Sequence, residues 1–230
     1  MATGQKLGGK LRDKIEEEAS REAVNFYRAW CQKTKNGILP IGIANVGKTT
    51  FLQRFEIAEP SLFLDFNRTL GTSVDKVRLR EDFLREAKGI EYYRKIDVPG
   101  DLPDQWARAY FDHGPRVLVV LVDERDPTEH IERLRKFLGL IAEGPTFWQR
   151  TKEVLSFRWS NLSRVLFVAN KADRFSNERL LAIADSYRGV LADLQSTLEV
   201  PIQVYRVSLA SDSEGCAALF KAVLDGLSRK

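Results

Sequence analysis

Beyond residue 36 the chain alternates short apolar runs with longer stretches whose apolar positions recur every three to four residues. The runs predict strands at Ile38–Gly42, Val74–Arg80, Glu91–Val98, Arg116–Asp123, Arg164–Asn170 and Ile202–Ser208. The periodic stretches predict helices at Lys48–Ile57, Pro103–Asp112, Thr128–Ile141, Asn177–Leu198 and Glu214–Leu227. Strands separated by helices require crossovers, so the expected fold is α/β, a mostly parallel six-stranded sheet with helices on both faces. Val117–Val122 is apolar throughout instead of alternating, as a strand covered on both faces should be. Only Glu81–Ile90 joins the second and third strands, which predicts a hairpin with a longer tip and one antiparallel edge. Pro40 lies inside the first strand, where its missing N–H removes a ladder bond, so a distortion at that strand's end is expected.

Residues 1–36 read differently. Leu11, Ile15, Ala19, Ala23, Phe26, Tyr27 and Trp30 fall near helical spacing with Glu16 to Glu18 outside the stripe, which predicts an N-terminal amphipathic helix ended by Asn36-Gly37. The division expected is therefore a helical extension over 1–36 and a main domain over 37–230. The helix stripe would pack on that domain, with a partner groove or a membrane interface as alternatives.

Charge and composition narrow the class without naming a function. The 230 residues are 43% hydrophobic and 30% charged, an ordinary globular balance. Cys31 and Cys216 have no partner His or Cys at ligand spacing, which argues against zinc and against a disulfide framework, and fits a reducing cytoplasmic compartment. The longest apolar run, Val117 to Val122, has six residues against the roughly 18 that span a bilayer. Ala2 stands where myristoylation needs glycine, so membrane contact is expected to be peripheral at most. A net charge of +4 favours anionic partners in general, and no block of like charges points to nucleic acid.

The chemistry begins after the first strand. Gly42-Ile43-Ala44-Asn45-Val46-Gly47-Lys48-Thr49 matches G-x-x-x-x-G-K-[ST]. Consecutive backbone N–H groups of such a loop hold a phosphate, glycines allow the turn, and the helix that follows adds its positive end. Lys48 is expected to reach the β- and γ-phosphates, the Thr49 hydroxyl to ligate Mg²⁺, and Asn45, Val46, Gly47 and Thr50 to complete the cradle. A second signal, Asp97-Val98-Pro99-Gly100, fits D-x-x-G, with Asp97 on Mg²⁺ through water and the Gly100 N–H on the γ-phosphate. A third, Asn170-Lys171-Ala172-Asp173, fits N-K-x-D. There the Asp173 carboxylate can accept from both the ring N–H and the exocyclic amine of guanine, a pair that adenine lacks. Asn170 would tie loop segments together and the Lys171 stem would cover the base. Each motif also has a purely structural reading as a turn after a strand, but the three occur once each, in order, each after a predicted strand.

With these motifs the chain resembles the P-loop GTPases of the translation-factor and Ras-like class over residues 37 to about 228. GIANVGKTT at Gly42–Thr50 is similar to the Era-like branch, and DVPGDLPDQWARAYFDHGPRVLVVLVD at Asp97–Asp123 is more like the Arf branch. The resemblance implies a GTP/GDP-binding switch with Mg²⁺ that hydrolyses GTP slowly without help and is read by a protein effector. It places the fifth motif at Ser208-Leu209, where a backbone N–H contacts guanine although leucine replaces the usual alanine. It also requires a threonine between the first helix and second strand, whose hydroxyl and carbonyl close on Mg²⁺ and the γ-phosphate, and Thr69 is the choice for that role. Thr69 is favoured by the T-x-G-x-x-V pattern and Thr72 by its closeness to the strand. The water-orienting glutamine that often follows D-x-x-G is Asp101 here, and Gln105 lies four residues later as the nearest candidate. Arg68 is read as a solvated loop residue before an internal arginine finger. Asn45 matches a position that implies K⁺ stimulation. The competing readings are a scaffold that holds GTP without hydrolysing it, motivated by Asp101, and an ATP-using phosphotransferase, which Asn170–Asp173 speaks against. Phe147, Trp148, Phe157 and Trp159 are expected to contribute at least one buried pair, and His113 and His130 to be structural.

Overall fold

The computed structural model describes residues 37–56, 71–87, 89–123, 125, 127–144, 162–174, 176–211 and 214–228. Six strands, β1 (Gly37–Ile41), β2 (Ser73–Arg78), β3 (Tyr92–Asp97), β4 (Val117–Val122), β5 (Arg164–Ala169) and β6 (Ile202–Arg206), form one sheet in the order β2-β3-β1-β4-β5-β6. All neighbours are parallel except β2 and β3, which pair antiparallel from Ser73↔Asp97 to Arg78↔Tyr92. The helices are α1 (Lys48–Gln53), α2 (Glu81–Glu86), α3 (Pro103–His113), α4 (Pro127–Glu143), α5 (Asn177–Leu198) and α6 (Glu214–Ser228). The N-terminal amphipathic helix, Cys31, Arg68, Thr69 and the aromatic group at 147–159 lie outside the described residues.

Strand alternation sorts the core into two layers. Ile38, Val117, Val119, Leu121, Leu166 and Val168 face one side with Phe51 and Leu52 of α1, Phe83 of α2, and Leu219 and Val223 of α6. Leu39, Ile41, Leu118, Val120, Val122, Val165 and Phe167 face the other with Trp106 of α3, Phe137 of α4 and Tyr187 of α5. Both faces of β4 are therefore covered, which is the physical reason its sequence does not alternate.

Two local expectations are corrected. The link between β2 and β3 is more than a hairpin tip, since it contains α2, whose Phe83 ring packs 5.5 Å from both Phe55 and Phe220. Burying that ring supplies the stabilisation that a six-residue helix cannot supply by itself. Pro40 does not distort the strand end. It stays in register with Val119 of β4, while the ladder between β1 and β3 runs only through Gly37 and Ile38, so the ring stands past the last β3 pairing.

Because β3, β1, β4, β5 and β6 run in one direction, their C-terminal ends emerge at one sheet edge. Each strand releases its chain a residue or two earlier than the apolar runs suggest, and the released residues, Gly42, Asp123, Asn170 and Ser208 among them, carry the polar chemistry at that edge. Ligands of open α/β sheets bind there, where successive connections leave in opposite directions.

Candidate functional site

The turn between β1 and α1 is a loop whose backbone must approach other backbone closely. Gly47, at φ +101, precedes α1, and a Cβ on it would lie 2.4 Å from Asn170 Nδ2. Gly100 faces the same loop from the end of β3, where a Cβ would lie 2.3 Å from the Ala44 nitrogen. Only a residue without a side chain brings these segments together. Asn45 also takes a left-handed φ, of 62°, and is exposed.

Lys48 is buried in this loop and donates to the carbonyls of Gly42 at 2.9 Å and Ile43 at 3.0 Å. Burial pushes its ammonium down to about 8, against the pull of Asp97. The Thr49 hydroxyl donates to Asp97 Oδ2 at 3.0 Å, joining the start of α1 to the end of β3. Two hard oxygens side by side fit a Mg²⁺ ion that takes few protein ligands and fills its octahedron with water and phosphate. Among the described residues no group of three or more His, Cys, Asp and Glu is placed to hold a metal without such help.

Asn170, at the end of β5, is nearly enclosed and works at both ends of its amide. Its Nδ2 donates to the Val46 carbonyl at 2.9 Å, and its Oδ1 accepts from the Leu209 N–H at 3.0 Å. One side chain thus joins the turns after β1, β5 and β6. Asp173 stands exposed in the short helical turn Ala172–Arg174, and a hydrogen bond from Ser208, foremost, holds its carboxyl below the usual range. Leu209 is buried and Lys171 adopts φ 58°.

Lys171 Nζ donates to Asp123 Oδ2 at 2.8 Å, and the Asp123 side chain is wholly enclosed. Its burial, the largest influence, favours the neutral acid. Hydrogen bonds from Arg125 and Lys171 outweigh that burial and hold the carboxyl below its ordinary range. Neither Asp123 nor Arg125 belongs to a motif legible in the sequence.

No protein-family model and no curated protein matches the chain. The solved structures do. The chain is similar to the Arl6 BBS3 small GTPase from Trypanosoma brucei with bound nucleotide analogue GppNp, with a TM-score of 0.52 and 18% identity over 84% of this chain and 98% of that one. The fold is that of a P-loop GTPase. A bacterial selenocysteine-specific elongation factor, EF-Sec, aligns with a TM-score of 0.48 and 16% identity over 84% of this chain and 28% of its own.

The Asp97–Gly100 turn at the end of β3 is held by side chains from two helices. Trp106 of α3 is fully buried and donates Nε1 to the Pro99 carbonyl at 2.7 Å. Arg133 of α4 donates to the Gly100 carbonyl at 3.0 Å and to Asp101 Oδ1 at 2.9 Å, and it also binds Glu129. Asp101, directly after Gly100, therefore sits in an ion pair with Arg133. Gln105 is half-buried on α3, with its N–H bonded to the Leu102 carbonyl. Thr72 is exposed ahead of β2. His130 is buried with its Nδ1 2.8 Å from the Tyr187 hydroxyl, and the buried Cys216 thiol donates to the Ser208 carbonyl at 3.6 Å.

Proposed function

We propose that the chain binds GTP and GDP with Mg²⁺ and works as a guanine-nucleotide switch that hydrolyses GTP slowly. The observation that carries this reading is the pair of hydrogen bonds by which the Asn170 amide donates to the Val46 carbonyl and accepts from the Leu209 N–H. It brings the segment bearing Asp173 against the loop bearing Lys48, so that one nucleotide can span both. Lys48 and the loop N–H groups would hold the phosphates, and Thr49 with Asp97 would hold Mg²⁺. Asp173 and the Leu209 N–H would meet guanine, and Thr69 and Gly100 would face the γ-phosphate. Bound Mg²⁺ supplies charge neutralisation along the phosphate chain. Gln105 is the remaining candidate to orient water, and Asn45 the candidate that brings K⁺ beside the phosphates. A protein effector in the cytoplasm would read residues around Glu59–Ser73 and Asp97–Asp112.

Isothermal titration tests it: GTP and GDP bind, ATP does not, and Asp173→Asn shifts preference toward xanthine nucleotides. Equal affinity for ATP would overturn the base assignment.

The Asp101–Arg133 ion pair favours a second reading, a scaffold that retains GTP. A carboxylate already engaged by a guanidinium is a poor water-orienting group, and Arg133 holds the adjoining carbonyl as well. Single-turnover hydrolysis decides: retention of GTP for hours, alone and with cell extract, supports the scaffold, and conversion within minutes supports the switch.

A further inference from the structure

Among the described residues, the phosphate loop is gripped from outside by two side chains that do not belong to it, and one of them, Asn170, lies in a recognised motif. The other is Arg125, just past the end of β4. Its Nη2 donates to the Ala44 carbonyl at 2.7 Å and to Asp123 Oδ2 at 2.9 Å, and its Nε donates to Asp123 Oδ1 at 2.8 Å. The Arg125 backbone N–H reaches the same Oδ1 at 3.3 Å. Asp123 in turn accepts from Lys171, so a continuous polar chain runs from the Lys171 ammonium through Asp123 and Arg125 to the loop backbone.

A trans peptide is planar, with its C=O and the next N–H on opposite sides. Holding the Ala44 oxygen toward Arg125 therefore turns the Asn45 N–H the other way, and holding the Val46 oxygen toward Asn170 does the same for Gly47. Alternate peptides of the loop are thus oriented by side chains from the ends of β4 and β5. A guanidinium suits the first task because its planar fork can serve both carboxylate oxygens and still reach a carbonyl, which a single ammonium cannot do in one geometry.

We propose that Arg125 is a positioning residue of the phosphate loop, fixing the Ala44–Asn45 peptide so that its N–H faces the bound polyphosphate, with Asp123 as its anchor. This rests on the guanine-nucleotide reading above. Ala44 adjoins Gly100, the γ-phosphate end of the cradle, whereas Asn170 serves the base end. Loss of Arg125 should therefore grow with the number of phosphates in the ligand.

The test is calorimetric titration of the full chain and Arg125→Ala with GMP, GDP and GTP in Mg²⁺. The expected result is a loss of about ten- to a hundredfold for GTP, the scale of one charge-assisted hydrogen bond. A smaller loss is expected for GDP, and under about twofold for GMP. An equal loss for all three ligands, or none, overturns the proposal. Arg125→Lys is measured alongside and also serves if the alanine variant does not fold. It should show the same graded loss at smaller size, and full recovery of GTP affinity would mean that charge alone matters and would overturn the fork. If the unaltered chain binds none of the three, the guanine-nucleotide reading itself falls, an outcome distinct from a binding chain that is indifferent to Arg125.

Discussion

The two ends of the cradle hold their backbone turns by different means. At the base end the tie comes from a neighbouring strand end and is enclosed: Asn170 is 4% exposed, and both ends of its amide are bonded to backbone. At the Gly100 end the ties come from helices packed beside the turn: the Trp106 bond to Pro99 is enclosed, but the Arg133 and Asp101 side chains that hold Gly100 and the residue after it are 22% and 26% exposed. Breaking an enclosed bond strands polar atoms away from water, whereas a half-exposed pair exchanges its partners for solvent at little cost. Under the proposed nucleotide reading, the difference assigns rigidity to the end that carries Asp173 and release to the Gly100 end.

The contrast is tested most severely by Asn170→Ala. Both the Val46 carbonyl and the Leu209 N–H lose a buried partner, and each such group costs about 1–3 kcal/mol, so about 4 kcal/mol of stability should disappear in urea unfolding. A loss under about 1 kcal/mol would mean that the base end is no more rigid than the other. Gly100→Ala comes next. The new methyl would meet the Ala44 nitrogen at 2.3 Å and the Ile43 carbonyl carbon at 2.5 Å, backbone that has no rotamer to yield. Overpacking of this kind costs about 3 kcal/mol, and GTP affinity should fall more than GDP affinity, because the displaced turn faces the last phosphate.

Much of the base end was legible in the sequence because its residues stand in motifs: Gly47 in G-x-x-x-x-G-K-[ST], and Asn170, expected to tie loop segments together, with Asp173 in N-K-x-D. The sheet was legible because six apolar runs fall between helical periods, and β4 declared its double burial by failing to alternate. The Gly100 end was legible only as D-x-x-G. Its supports, Trp106 and Arg133, sit on helix faces, where an arginine reads as solvated surface, and Arg133 lies 32 residues from Asp101 with no spacing rule to connect them. Asp123 and Arg125 escaped notice for the same reason, since an ion pair after a strand has no pattern until the loop of β1 is folded beside it. The helix α2 escaped because Phe83 is its main support, and that ring is buried by residues distant in sequence.

Acid should destabilise the fold through α4. His130 of α4 lies 6.4 Å, ring to ring, from Trp106, and burial, with Lys48 next in weight, pushes its imidazole down to about 3. An unfolded chain takes up this proton near pH 6.5, and the folded one does so only near 3, so stability falls as pH drops through that window. At pH 5 the imidazole alone should account for about 2 kcal/mol relative to pH 7.5, at 1.36 kcal/mol per unit. His130→Phe should flatten the difference in unfolding free energy between pH 7.5 and 5 by that amount. An unchanged slope would mean that the imidazole is protonated in the folded protein.

The smallest expected effect on stability is the one that bears most on function. Arg133→Ala removes half-exposed bonds to Gly100, Asp101 and Glu129, and should cost about 1 kcal/mol in unfolding. The same change removes the Arg133 bonds to the Asp101 carboxylate and the Gly100 carbonyl, so the turn can reorient toward a γ-phosphate or away from it. If Arg133 restrains the switch, single-turnover GTP hydrolysis should quicken in the variant while GDP affinity stays within about twofold, because the base end is untouched. If hydrolysis slows instead, the guanidinium presents the turn in its working geometry, and the Gly100 end owes its order to the protein and not to the nucleotide. Either direction separates the two halves of the cradle. Equal changes in GDP affinity and hydrolysis would join them into one rigid unit and remove the distinction between an end that stays and an end that lets go.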